Sequence, residues 1–312
     1  MNKRPLFLKI QRLLRPIWII CMVSLLYLVN QLIFFMVLKG AIKLFNLPLK
    51  IGEATSNFLF PDFLTYLLLG LLPLLLSLYL AEKFLFRQKF IPRLFRPHSF
   101  MFKDICFGLI LGPFLFSLLF LAFKSAGWIS ISTKHTTSPI PGSAFLWMVL
   151  TFIVSAFFEE IMNRGFHLPV LASSWGLPAG IAFSAFLFSL EHLGNPHINF
   201  IGLFGIMGAG VLFATAYLVT GSLYFPVCLH LSWNLSQALF GFKVSGFSLP
   251  SLIPLEINGP PLWTGGEFGP EGGLAGIILM LLGTWLTWLY GRYRYKNRPS
   301  VPRQKQENCD HT

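Results

Sequence analysis

Apolar residues in this chain come in long unbroken runs, not in the two-residue alternation of a strand or the narrow stripe of a surface helix. A helix of about 20 mostly apolar residues crosses roughly 30 Å of hydrocarbon. Eight runs qualify or nearly qualify: Ile17–Leu38, Phe63–Leu80, Ile105–Phe123, Ala144–Met162, Leu177–Leu193, Ile201–Val219, Leu223–Phe240 and Leu274–Tyr290. The fifth and seventh are the shortest or most interrupted. The pattern predicts an all-α polytopic membrane bundle of about eight transmembrane helices. The N-terminal basic stretch runs into 22 apolar residues without a small-residue cleavage site. It therefore reads as a retained span and not a signal peptide. The outer loop 241–273 is rich in glycine and holds Pro250, Pro254, Pro260, Pro261 and Pro270. Residues before proline favour extended or turn backbone, so a solvated connector is expected there.

Composition sharpens this picture. Of 312 residues, 54% are hydrophobic and 12% are charged, with a mean hydropathy of +0.66. A soluble surface needs about twice that charge, and disordered chains are poor in the aromatics that abound here. The net charge of +12 suggests nucleic acid until it is mapped. With the N-terminus inside, the inner segments of an eight-span chain carry 18 Lys and Arg and the outer segments 6. That is the positive-inside bias, with both termini cytoplasmic. The charge is an orientation signal, and no nucleic-acid partner is expected. Cys21, Cys106, Cys228 and Cys309 show no paired spacing, so neither a disulfide framework nor a zinc knuckle is indicated.

Ionisable groups inside a span cost at least about 2.5–3.5 kcal/mol each, so they ask for a reason. The first three spans hold none. Spans four, five and seven hold Glu159, Glu160, Arg164, Glu191, His192, His230 and Asn234. Glu160 and Arg164 are i,i+4 and can pair on one helix face. Glu159 is turned about 100° away with no basic neighbour at i+4, which leaves it free to act as a general base. Phe188 and His192 share a face at the end of span five, and Glu191 beside them points elsewhere. His230 and Asn234 share a face in mid-span. Each group alone has a bland explanation: a salt-bridged helix end, a polar cap, or interhelical hydrogen bonding. Together they supply what water activation and oxyanion stabilisation require. No G-x-S-x-G, H-E-x-x-H, Walker A or G-x-G-x-x-G motif is present.

The three clusters carry a family resemblance. Glu159-Glu160-Ile-Met-Asn-Arg164, Phe188-Ser-Leu-Glu-His192 and His230-Leu-Ser-Trp-Asn234 match, in order and spacing, the motifs Glu-Glu-x-x-x-Arg, Phe-x-x-x-His and His-x-x-x-Asn. The chain thus resembles the CPBP intramembrane proteases, the CAAX protease and bacteriocin-processing (Abi) family. That family includes type II CAAX prenyl endopeptidases and lysostaphin-resistance-protein-A-like proteins. The resemblance covers about Ala144 to Phe240. It divides the chain into residues 1–143 with three spans lacking a signature, a catalytic core at 144–240, and residues 241–312 with the outer loop, last span and basic tail. It implies a glutamic-type intramembrane endopeptidase in which Glu159 and His192 activate water. His230 and Asn234 then hold the oxyanion, and Glu160 and Arg164 support the site, with Arg164 offered to a substrate carboxylate. No cofactor is expected. The older description of the family as metalloproteases leaves a zinc site on Glu159, His192 and His230 as the alternative. The Gly-Pro-Glu-Gly run of the last loop looks like bacterial members, which implies a bacterial cell membrane.

One tension accompanies this reading. Counted from the starts of their spans, Glu159 and His192 lie near opposite membrane faces. Span four must then continue past Arg164 toward Leu171 for the two to meet. A proton- or ion-coupled transporter using the same residues, and a non-catalytic bacteriocin-immunity protein on the same scaffold, are the rival functions. The expected substrate is a peptide or membrane protein, with or without a lipid modification, met within the bilayer. The chain's own C-terminus, Cys309-Asp310-His311-Thr312, lacks the aliphatic pair of a prenylation box.

Overall fold

The computed structural model describes residues 6–46, 60–86, 94–132 and 142–295. Most of the two basic termini and Cys309 lie outside the described residues. Eight main helices follow in chain order: α1 Leu6–Leu44, α2 Phe63–Phe84, α3 Met101–Ser125, α4 Gly142–Trp175, α5 Leu177–Leu190, α6 Phe200–Thr220, α7 Tyr224–Leu239 and α8 Leu274–Arg294. Six are long and apolar enough to cross a membrane; α5 and α7 have 14 and 16 residues. Large apolar side chains such as Leu25, Leu32, Ile110 and Leu281 face outward, as a lipid-facing bundle requires.

Loop contacts sort the helix ends. Trp175 Nε1 donates to Leu13 O at 3.0 Å, joining the α4–α5 turn to the start of α1. The Leu223 amide donates to Leu94 O at 2.8 Å, joining the α6–α7 turn to the segment before α3. The Tyr290 and Tyr295 hydroxyls donate to the fully buried Asp104 at 2.6 and 2.5 Å, joining the end of α8 to the start of α3. The sequence pattern had left Asp104 in a loop. At the other end a short antiparallel pair, β1 (Ile129–Ile131) with β2 (Leu255–Ile257), joins the segment after α3 to the loop after α7. Met148 and Phe152 of α4 pack there against Ala238 and Val244. The helices therefore alternate in direction, and α1 begins at the end where α8 finishes.

Between helices in lipid, close packing of small residues replaces the hydrophobic driving force. Gly108 and Gly112 form a G-x-x-x-G pair on α3 against α7. A Cβ on Gly112 would lie 2.4 Å from Ser232 Oγ, and that hydroxyl donates to Gly108 O at 2.7 Å. Gly180 packs closely against Ala172, 2.8 Å from where its Cβ would sit, closing the α4–α5 hairpin. In α2, Pro73 has no N–H to give to Leu69 O. Gln31 Nε2 of α1 supplies the missing donor at 2.9 Å, and Asn30 Nδ2 reaches Ser77 Oγ at 2.8 Å.

The proline- and glycine-rich loop is a folded cap, not a solvated connector. Its backbone at Pro270 and Glu271 wedges between α6 and α8, where a Cβ on Gly205 would sit 1.8 Å from Glu271 O. Gly269 holds φ +96° against Lys243 O, a conformation and an approach open only to glycine. Lys243 also pairs with Glu267, and its hydrogen bond and charge hold that exposed carboxyl below its ordinary pKa.

Candidate active site

Glu159 stands near the centre of α4, which runs on to Trp175 as the tension in the sequence demanded. Glu159 lies seventeen residues before Gly176 and His192 sixteen after it. Gly176, at φ +89°, reverses the chain. Measured from this hairpin, both side chains lie at about 24–26 Å at 1.5 Å per residue, hence at one depth. Glu159 Oε2 is 3.8 Å from His192 Nε2 and 3.7 Å from His230 Nε2. That oxygen is buried and has no hydrogen-bond partner among the described residues. His192 is not on α5; it follows the helix end, in the turn that leads to α6.

The hydrogen bonds fix the imidazole tautomers. His192 Nδ1 lies 2.8 Å from Phe188 O. A carbonyl only accepts, so Nδ1 carries the proton and Nε2 turns its lone pair toward Glu159. His230 Nδ1 donates to Glu160 Oε1 at 2.9 Å. The same oxygen accepts from Arg164 Nη1 at 2.9 Å, and Arg164 Nη2 donates to Gly210 O at 2.9 Å. The guanidinium lies 4.5 Å from the Phe188 ring centroid and 5.3 Å from that of Phe213. Arg164 is 1% exposed, so it has no face to offer a substrate carboxylate. It locks Glu160, which locks His230. Asn234 lines the cavity beside His230, and its side-chain amide makes no hydrogen bond among the described residues.

A π-helical stretch, Ile161–His167, interrupts α4 immediately after the two glutamates. Leu168 N–H reaches Asn163 O, five residues back. Pro169 lacks an N–H and crowds the carbonyl four residues behind it, and the wider turn relieves both problems. This stretch carries Asn163, Arg164 and His167, all buried.

Glu159, His192, His230 and Asn234 line a cavity of about 460 Å³. Its wall draws on all three parts of the chain. Ser24, Tyr27 and Tyr66 come from the spans without a signature, and Ser245 and Glu271 come from the folded loop. Glu271 Oε1 accepts from Trp233 Nε1 at 3.1 Å, and Oε2 accepts from the Ser245 amide and hydroxyl at 2.8 and 2.7 Å. Glu191, expected to point away, instead lines the cavity with His167. The sequence reading missed Asn163 and His167. Their spacing of four and eight residues from Glu159 was the available signal, since it repeats on one helix face.

Two ligands of one tetrahedral zinc, at 2.0–2.1 Å from the metal, lie about 3.3 Å apart. Both distances from Glu159 exceed that. No group of three or more His, Cys, Asp or Glu with ligand geometry occurs among the described residues. The residues present do not fit the zinc alternative as arranged.

Comparison with known proteins supplies the deciding observation. Residues 141–236 match the family model of the type II CAAX prenyl endopeptidases, Rce1-like. The chain carries a domain of the CPBP/CAAX protease family. No curated protein and no solved structure matches the chain. The matched residues include Glu159, Glu160, Arg164, His192, His230 and Asn234. The family is one of proteases, and with its apolar helices the chain is an integral multi-pass membrane protein.

Proposed function

We propose that the protein is a glutamic-type intramembrane endopeptidase that hydrolyses a peptide bond with water activated by Glu159 and His192. The observation that supports this most directly is the approach of His192 Nε2 and His230 Nε2 to Glu159 Oε2, at 3.8 and 3.7 Å, at the wall of one cavity. A water seated among them gives its proton to Glu159 or His192 as its oxygen attacks the substrate carbonyl carbon. The carbonyl electrons move onto oxygen, where Asn234 and the imidazolium form of His230, through its Nε2–H, donate to the developing charge. Collapse of the intermediate breaks the C–N bond, and the stored proton passes to the leaving amine. Glu160 and Arg164 act as positioning residues for His230.

The substrate is a peptide or membrane protein, lipid-modified or not, that enters from the bilayer. The charge bias supports cytoplasmic termini, and the Gly-Pro-Glu-Gly loop supports a bacterial cell membrane. The test is cleavage of a membrane-embedded peptide by the purified protein. Activity is lost in Glu159→Ala and His192→Ala while thermal unfolding stays that of the parent. Retained cleavage in either variant overturns the reading. The mechanism uses no metal, so incubation with EDTA followed by dialysis leaves the rate within about twofold; a metal-activated water would lose its nucleophile.

A further inference from the structure

Beside the proposed water site lies a second constellation that the mechanism does not use. Asn163 is fully buried, and its Nδ2 donates to Glu159 O at 3.1 Å and to Glu191 Oε2 at 2.9 Å. The Glu159 carbonyl only accepts, which fixes the orientation of the amide. Asn163 Oδ1 therefore faces His167 Nδ1, 3.2 Å away, and Nδ1 carries the proton. His167 Nε2 is left as an acceptor. Glu191 Oε1 lies 3.9 Å from His167 Nδ1, beyond hydrogen-bond reach, and is left as an acceptor too. Both residues line the cavity that holds Glu159. The cavity wall contains no lysine or arginine among the described residues, and Arg164 is sealed behind Glu160.

An oriented imidazole acceptor and a carboxyl group, with no lysine or arginine on the wall beside them, suit a ligand that brings positive charge and several N–H donors, since a bound cation itself favours the ionised carboxylate. We propose that Glu191, with His167, forms a specificity subsite for a cationic amine or guanidinium group of the substrate, held one asparagine away from the scissile bond. This rests on the endopeptidase reading and names part of its substrate. The same layout disfavours a substrate whose free C-terminal carboxylate enters this part of the cavity. The positive group has two sources: a Lys or Arg side chain, or a free N-terminal amine.

The test uses the full-length protein in proteoliposomes and a set of membrane-embedded reporter peptides. The peptides are identical except for Lys, Met or Glu at each position within three residues of the cleaved bond, with the N-terminus free or acetylated. The expected result at one position is a Lys-over-Met preference in kcat/KM of about ten- to a hundredfold, the usual scale of one charge-assisted hydrogen bond. Glu191→Gln collapses that ratio, and Glu191→Lys inverts it in favour of the Glu peptide. A preference that vanishes on acetylation assigns the group to the N-terminus; one that survives assigns it to a side chain. A parent preference near one, or one unmoved by Glu191→Gln, overturns the proposal. Binding of the same peptides to Glu159→Gln, read by fluorescence anisotropy, separates the two readings. A charge preference in binding without turnover in the parent sinks the peptidase and keeps the subsite. Turnover without the preference does the reverse.

Discussion

Glu159 and Glu160 are neighbours in the chain with opposite situations. Each keeps a buried Oε2 without a hydrogen-bond partner among the described residues, but Glu160 commits Oε1 to Arg164 and His230, whereas the orphan oxygen of Glu159 faces two imidazoles. The helical turn of about 100° between them is the cause, and it was legible from the sequence alone. Removing the free one removes a proposed proton acceptor: Glu159→Gln is expected to lower kcat by about 10²–10⁴-fold with KM little changed, read by single-turnover cleavage. Arg164 shows what the sequence hid. Its pairing with Glu160 follows from i,i+4 spacing, but its bond to Gly210 O and its seat between Phe188 and Phe213 need two other helices. Lysine cannot span both acceptors or stack as a planar group. Arg164→Lys is expected to cost roughly tenfold or more in kcat and to lower the unfolding temperature. Arg164→Ala, which strands a buried carboxylate, costs on the order of 3–5 kcal/mol by thermal unfolding in detergent.

Helix lengths were legible where apolar runs were long, and less so where a helix stops inside the bundle. The run through Leu193 reads as one span, yet α5 ends at Leu190 and the chain turns to deliver His192. Hydropathy does not register that stop, because the residues beyond it remain partly apolar. The glycines were equally opaque. A glycine in a span is unremarkable until its neighbour is known, and Gly112 admits Ser232 to a distance no Cβ allows. Gly112→Val is therefore expected to push α7 away from α3. It should lower the unfolding temperature by several degrees and cleavage by at least tenfold, since His230 and Asn234 ride on α7. A conservative Gly40→Ala, at a site with nothing within 4 Å of the added carbon, serves as the control and leaves both readings unchanged.

Across the whole molecule, alternation of helix direction brings both described ends of the chain to one end of the bundle. Reporter fusions check which side that is: a fluorescent protein is expected to mature at either terminus, and alkaline phosphatase to be active when inserted near residues 126–132 or 250–260 but not when fused to either terminus. The fold that the sequence concealed is the outer loop, whose composition suggested a tether and whose backbone instead closes the cavity. The hairpin at Gly176 carries a last consequence. Because acid and base sit on arms of nearly equal length, the chain itself is the ruler that aligns them. Deleting one residue between Arg164 and Trp175 would swing Glu159 by a hundred degrees and leave His192 where it was. Sequences that share this plan are bound to lengthen or shorten both arms in step.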